Sequence, residues 1–490
     1  MTNLENYFNY FRNNIVGIDQ TFETPFGNKT IVYADWVASG RLYKPIEDLI
    51  SNTFGTFVGN THSESSVTGT VMTKAYHKAR EIIKNHVNAN DNDVLITAGP
   101  GMTTVINKFQ RLLGLRYPEQ FEKYINIPEE DIPVVFVTHM EHHSNQTSWL
   151  ETIADCEVIP PDENGMVDYD YFGGLLEKYK NRKLKIGSFT AASNVTGVSP
   201  DFYRLSRMMH ENGGLCFVDF SMAAPYMEIN MHPEDPLEKL DAVFFSPHKF
   251  LGGPGSSGVL VFDSSLYNRK IPDHPGGGTV DWTNPWGGHK YIDDIETRED
   301  GGTPGFLQAI KAALSIRLKE KMGVEKILER EEELLEIAYG EFDSIPGIHL
   351  LANNIRKRLG VLSFYFEDIH YNLVVKLLND RYGIQVRGGC SCAGTYGHYL
   401  LHVDPTRSKR ITEKINQGDL SEKPGWVRLS LHPTMTNDEL LYITSAIKDI
   451  AKHGKEWSND YYYSRRTNEF HHKNDIDVNG MINTWYSANL

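Results

Sequence analysis

Seven short apolar runs punctuate the chain: VLITAG from Val94, PVVFVTHM from Pro133, CEVIPP from Cys156, KIGSFTAAS from Lys185, LCFVDF from Leu215, AVFFS from Ala242 and GVLVF from Gly258. Each has the length of a strand, and most are separated by amphipathic stretches at helical spacing, Met102 to Leu115, Tyr169 to Arg182 and Asp201 to His210. This alternation predicts an α/β fold with a mostly parallel, seven-stranded sheet flanked by helices and chemistry at the carboxyl ends of its strands. After Gly301 the pattern becomes one long helical stretch, Phe306 to Phe342. It leads to a smaller α+β unit with a strand from Val361, a helix from Asn372 to Tyr382, a strand from Val427, and a last helix whose Leu440, Ile443, Ile447 and Ile450 share one face. The expected division is an N-terminal segment (1–30), a large α/β domain (31–305), the long helix with a small α+β domain (306–455), and an irregular tail (456–490).

Composition narrows the function classes. With 40% hydrophobic and 23% charged residues, the chain of 490 residues has the makeup of a globular protein. A net charge of -15 repels a phosphate backbone, so nucleic acid is not an expected partner. No apolar run approaches the ~20 residues of a membrane span, and MTNLENYFNYF shows no secretory pattern. Four cysteines are too few for a disulfide framework, which together with these absences points to the cytoplasm.

The chemistry-bearing residues follow the strands. Lys249 stands in SPHKFLGGPGSSG just beyond the run ending at Phe245, beside Ser246 and His248, while Asp219 closes the neighbouring run. A lysine partly desolvated there is a nucleophilic amine suited to a Schiff base, and an aspartate beside it is the partner of a pyridinium nitrogen. TAGPGMTTVIN, from Thr97, turns a strand into a helix start whose backbone N–H groups and Thr103 hydroxyl suit a phosphate. Together these are the parts of a pyridoxal phosphate site. The glycines at 253, 255 and 258 precede a strand, so they do not read as a dinucleotide loop; they permit close backbone approach beside Lys249. His139, His142 and His143 lack the companion ligands of a metal motif and read as residues leaving a strand end toward a pocket. Cys390 and Cys392, in RGGCSCAGTYGH, form a glycine-rich, exposed loop suited to thiolate chemistry, whereas Cys156 and Cys216 read as small buried hydrophobes.

In combination and order, NTHS, GMTTVIN, MEHHSN, ASNVTG, VDFS, FSPHK, GGTP, RGGCSCA and WVRLS resemble the cysteine desulfurases and selenocysteine lyases of the class V aminotransferase group, fold type I. The resemblance runs from about Tyr33 to His453. It implies that residues 31–305 bind pyridoxal phosphate, with Lys249 holding it covalently and shuttling protons, Asp219 pairing with the ring nitrogen and His142 stacking on the ring. Met102, Thr103, Ser246 and His248 would bind the phosphate, joined by Thr303 from the second subunit of a homodimer. Asn194 would lie near substrate and cofactor, Arg428 would grip the substrate carboxylate with His62 and Arg387 nearby, and Cys392 would carry the persulfide. The expected reaction is L-cysteine to L-alanine, with the sulfur passing to Cys392 and onward to an acceptor protein. The alternatives are another enzyme of the group (a carbon–sulfur or selenocysteine lyase, a transaminase, an epimerase) or a non-catalytic sulfur- or metal-binding scaffold. Three features depart from the group: Met222 stands where it usually carries glutamine, the stretch from Ala393 to Trp426 with its basic TRSKRITEK is longer, and the tail beyond His453 has no counterpart.

Overall fold

The computed structural model describes residues 3–61 and 64–487. All seven apolar runs form strands of one sheet: β1 (Asp93–Ala98), β2 (Val134–Thr138), β3 (Asp155–Ile159), β4 (Lys185–Thr190), β5 (Leu215–Asp219), β6 (Ala242–Phe245) and β7 (Gly258–Asp263). Their order is β1-β7-β6-β5-β4-β2-β3. Only β7 runs antiparallel to its neighbours; the other pairs are parallel. The runs are continuously apolar because both faces of the sheet are covered: along β2, Val134 and Phe136 enter one core and Val135 and Val137 the other. The covering helices begin where sequence supplies a cap. The Asp168 carboxylate accepts from the Tyr171 amide at 2.9 Å and Asp201 from the Arg204 amide at 3.0 Å, each replacing a hydrogen bond the first turn lacks.

A second, four-stranded antiparallel sheet contains β8 (Ile348–Leu350), β9 (Val361–Phe366), β10 (Arg387–Gly389) and β11 (Trp426–Ser430), in the order β8-β9-β11-β10. The helices Tyr371–Tyr382 and Asn437–Trp457 pack beside it, and Leu440, Ile443, Ile447 and Ile450 of the latter are buried as a single face. The segment after Tyr33 is laced to β11: the Ser430 amide donates to Ala34 O at 2.9 Å and the Val37 amide to Ser430 Oγ at 3.2 Å.

Three sequence expectations change. The helical stretch of 306–342 is two helices, Phe306–Met322 and Val324–Phe342, broken at Gly323, whose φ of +80° a helix cannot contain. The stretch after Ala393 is not a loop but two helices, Gly394–Leu400 and Pro405–Asn416. The tail is not irregular: Tyr461–Ser464 and Glu469–His472 form a hairpin, followed by the helix Val478–Tyr486. The hairpin is anchored by Asn468, which donates to the Tyr371 hydroxyl at 2.6 Å. Among the described residues, no helix is long and apolar enough to cross a membrane.

Candidate active site

Strand ends and the facing sheet converge on a cavity of about 210 Å³. Asp219 closes β5, Ser246, His248 and Lys249 follow β6, and His142 follows β2; all line this cavity. From the other side come Arg387 of β10, Arg428 of β11 and Cys392. Met102, Thr103 and Asn194 complete the set of expected residues that the structure brings together. Thr303 is exposed and does not line the cavity within this chain. It lies two residues before Gly305, which borders an open groove of about 690 Å³ that shares Met102, Thr103, Ser246 and His248 with the cavity. His62 lies outside the described residues.

The corner expected to take a phosphate is built from backbone. The helix Met102–Leu112 starts at Gly101 without a side-chain cap, and the Met102 amide donates to Ser246 Oγ at 2.9 Å. A Cβ on Gly101 would lie 3.0 Å from that oxygen and 3.5 Å from the His248 ring, so glycine keeps the corner open. The Thr103 hydroxyl lies 2.7 Å from that of Ser144, which also lines the cavity. Of the three neighbouring glycines, Gly253 and Gly258 serve close packing: a Cβ would meet Pro247 O at 1.9 Å or Gly101 O at 2.4 Å.

Electrostatics sort the titrating groups. Burial is the largest influence on Lys249 and, with Arg428 and Arg387 adding repulsion, it holds the amine down at about 8 despite the opposing pull of Asp219 and Cys392. At pH 7 such an amine is neutral on the order of a hundredfold more often than an ordinary lysine. We therefore expect the rate at which the apo protein captures pyridoxal phosphate to rise about tenfold per pH unit to about pH 8 and then level off. Stopped-flow absorbance would measure this, and a rise continuing to pH 10 would contradict it. Asp219 is 5% exposed, and burial raises its pKa, countered by the Ser221 hydroxyl and amide and by Lys249. Burial, then the charge of Lys249, lowers His142 to about 3, so its ring is neutral. Its Nδ1 accepts from the Ser144 amide at 3.1 Å, which puts the ring proton on Nε2.

The residues present fit pyridoxal phosphate. Besides the open corner, Asn194 Oδ1 is buried without a hydrogen-bond partner among the described residues, and the buried Asp219 carboxylate lines the same space. Met222 also lines the cavity, with a thioether that donates no hydrogen bond.

The cysteine loop differs from its sequence reading. Both cysteines are only partly exposed, and only Cys392 reaches the cavity. Cys390 packs against the core. Ser391 and Cys392 have φ of 50° and 57°, a conformation costly outside glycine. Three contacts impose it: Asn194 Nδ2 donates to Ser391 O at 2.7 Å, the His143 amide to Cys392 O at 2.8 Å, and the Gly394 amide to His143 Nε2 at 2.8 Å. The loop is therefore pinned, not free.

The histidines separate as well. His139 is fully buried, edge-on to the rings of Tyr396 and Tyr399 with centroids 5.3 and 5.7 Å away, and does not line the cavity of Lys249. Among the described residues, no group of His, Cys, Asp and Glu is placed to hold a metal ion. Sequence reasoning missed Asp35, which accepts from Arg428 Nη2 at 2.7 Å while Nη1 donates to Asn194 O at 3.2 Å. It also missed Ser144, two residues after His142 in a motif it had singled out, and the anchoring role of His143, which it had named only as a residue leaving the strand end.

The model of the class-V aminotransferase family matches residues 32–443. Proteins named "Probable cysteine desulfurase" from Staphylococcus epidermidis (strain ATCC 12228) and Staphylococcus aureus (strain N315) are 29% and 28% identical over 375 and 371 residues. Those matches cover 76% and 74% of this chain and 85% and 84% of theirs. Among solved structures, the cysteine desulfurase CsdA from Escherichia coli has a TM-score of 0.70 at 22% identity, covering 92% of this chain and 99% of its own. The apo cysteine desulfurase from Thermococcus onnurineus NA1 has a TM-score of 0.69 at 22% identity, covering 86% and 95%. At that identity the structural likeness establishes the fold.

Proposed function

Since the chain belongs to the class-V aminotransferase family, we propose that it is a pyridoxal-phosphate-dependent cysteine desulfurase, converting L-cysteine to L-alanine and leaving the sulfur as a persulfide on Cys392. The observation that carries this reading is that the Cys392 thiol and the Lys249 amine line one cavity. A transaminase or an epimerase needs the lysine but has no use for a thiol facing it. The names of the Staphylococcus relatives support the same reading.

Pyridoxal phosphate, when bound, supplies an electron sink for bonds at the substrate's α-carbon. Thr103, Ser246, His248 and the Met102 amide would hold its phosphate, Asp219 would pair with its ring nitrogen, His142 would stack on the ring and Asn194 would lie beside it. Met222, where a glutamine would donate to the ring's phenolic oxygen, would give it no hydrogen bond. Arg428, held by Asp35, takes the substrate carboxylate, and Arg387 stands next to it in register across β10 and β11. Lys249 Nζ takes the α-proton. Cys392 Sγ, deprotonated, attacks the substrate sulfur, so that a sulfur–sulfur bond forms as the carbon–sulfur bond breaks. The proton that Lys249 took and the one that the Cys392 thiol gave up go to the α- and β-carbons, which completes alanine. The balance is one cysteine and one thiol in, one alanine and one persulfide out.

Thr303 is assigned to the phosphate of the other subunit in a homodimer; its exposure beside the groove at Gly305 supports this. Cys392 works as a thiol, which suits the reducing cytoplasm, and the persulfide sulfur passes to an acceptor protein. The test is a single-turnover reaction with L-cysteine, followed in parallel by sedimentation. Alanine and protein-bound persulfide are expected in equal amounts from a dimer. Pyruvate or a keto acid in place of alanine would overturn the desulfurase reading, and a fully active monomer would overturn the shared site.

A further inference from the structure

Cys392 sits in a turn that the chain does not favour by itself. Ser391 and Cys392 both hold positive φ, and the helix that follows, Gly394–Leu400, starts without a side-chain cap. An uncapped helix leaves its first N–H groups free. The first of them is taken from outside by His143, whose Nε2 accepts from the Gly394 amide at 2.8 Å. His143 opens the helix His143–Leu150, and one turn further along it the buried Gln146 accepts from the Thr395 hydroxyl at 2.7 Å. The backbone adds a contact in the other direction, the His143 amide donating to Cys392 O at 2.8 Å. One residue therefore grips the chain at Cys392 and again at Gly394.

The side-chain half of that grip needs an imidazole with an unprotonated Nε2. Burial, then the charge of Lys423, lowers the pKa of His143, which keeps that nitrogen an acceptor. The residue before it, His142, lines the cavity of Lys249. Two consecutive residues at the end of β2 thus face different partners, the first the cavity and the second the cysteine turn.

We propose that His143 is a positioning residue, its imidazole holding the strained turn closed so that the Cys392 thiol stays at the wall of the cavity. The proposal rests on the desulfurase reading for what the thiol does there, which is to attack the substrate sulfur. Positive φ outside glycine persists only where the surroundings over-determine it. Without the acceptor for the Gly394 amide the turn relaxes, and the thiol moves away from the cavity and toward solvent. Displacement by about an ångström is enough to slow an attack on the order of a hundredfold.

The test uses the cofactor-loaded protein carrying Cys390→Ser, so that Cys392 is the one thiol of the turn. Alkylation of Cys392 by iodoacetamide, followed by peptide mass spectrometry, reports on the turn without any turnover. Persulfide formed from L-cysteine in a single turnover reports on attack. His143→Ala is expected to speed alkylation about tenfold or more and to slow persulfide formation about tenfold or more. His143→Gln, which returns an acceptor to the Gly394 amide, is expected to bring both rates to within about threefold of the parent. Gly394→Ala presses on the same contact from the other side, its Cβ 3.0 Å from His143 Nε2. It should speed alkylation in the parent and add nothing in His143→Ala. Unchanged alkylation in His143→Ala, undiminished persulfide formation there, or no recovery in His143→Gln would overturn the proposal. If His143→Ala does not fold, faster alkylation in Gly394→Ala than in His143→Gln supports the proposal and equal rates overturn it. If the parent itself forms no persulfide, the desulfurase reading fails, while the alkylation rates still decide whether His143 holds the turn.

Discussion

Cys392→Ser is expected to bind pyridoxal phosphate with unchanged absorbance and to lose persulfide formation by on the order of a thousandfold or more, because a serine hydroxyl is almost never deprotonated at neutral pH and is a poor acceptor of sulfur. The geometry makes Cys390 the natural control. It lies two residues away yet packs against the core and does not reach the cavity, so Cys390→Ser should keep most of the sulfur-transfer rate. Alkylation of the persulfide followed by peptide mass spectrometry measures both. A label on Cys390 would reverse the assignment, and full carbon–sulfur cleavage in the double variant would convert the proposed desulfurase into a lyase that needs no thiol.

Lys249→Ala is expected to reduce turnover by about 10⁴-fold or more, since it removes both the covalent attachment and the proton carrier. Borohydride should fix the cofactor to the Lys249 peptide in the parent protein and to nothing in the variant. The structure supplies a demanding rival. Lys319 is 3% exposed, and burial brings its amine down to about 7, so it too is a neutral nucleophile in part at pH 7. Its amine, however, donates to Met227 O and approaches His86 at 3.5 Å, away from the cavity. A reduced cofactor on Lys319 would remove the basis for the proposed function. Depressed basicity alone does not choose between the two lysines; position at the end of β6, facing Asp219, does.

What could be read beforehand follows from where each property is encoded. A strand covered on both faces writes itself as an unbroken apolar run, so β1 to β7 were legible one at a time, and Asp219 and Lys249 came with them as residues at or just beyond the strand ends. The face of Leu440, Ile443, Ile447 and Ile450 was legible for the same reason. The break at Gly323 was not, because helical periodicity continues on both sides and one glycine inside a helix is tolerated often enough to pass unnoticed. The state of the cysteine loop was also hidden. Glycines around Cys390 suggested freedom, but the hydrogen bonds that pin the loop come from Asn194 and His143, 197 and 251 residues away from their partners Ser391 and Gly394. Asp35 left no local signal at all: its partner Arg428 is 393 positions later. The hairpin of the tail was missed because its alternation is carried by tyrosine and histidine, which count equally as polar and apolar.

The lacing of residues 34–37 onto β11 sets an order of events. Contacts that close a loop of 393 residues, as Asp35 to Arg428 and Val37 to Ser430 do, must wait until nearly the whole chain has been synthesised and both sheets have formed. The seven-stranded sheet, by contrast, is complete once Asp263 has emerged. The corner at Met102, Ser246 and His248 is thus in place before the arginine that faces it, and, on the proposed function, the nascent protein would pass through a stage with a home for a phosphate but no grip on an amino acid. The same seam is where a partial opening of the folded molecule would separate the two, leaving the proposed coenzyme site without the proposed substrate site.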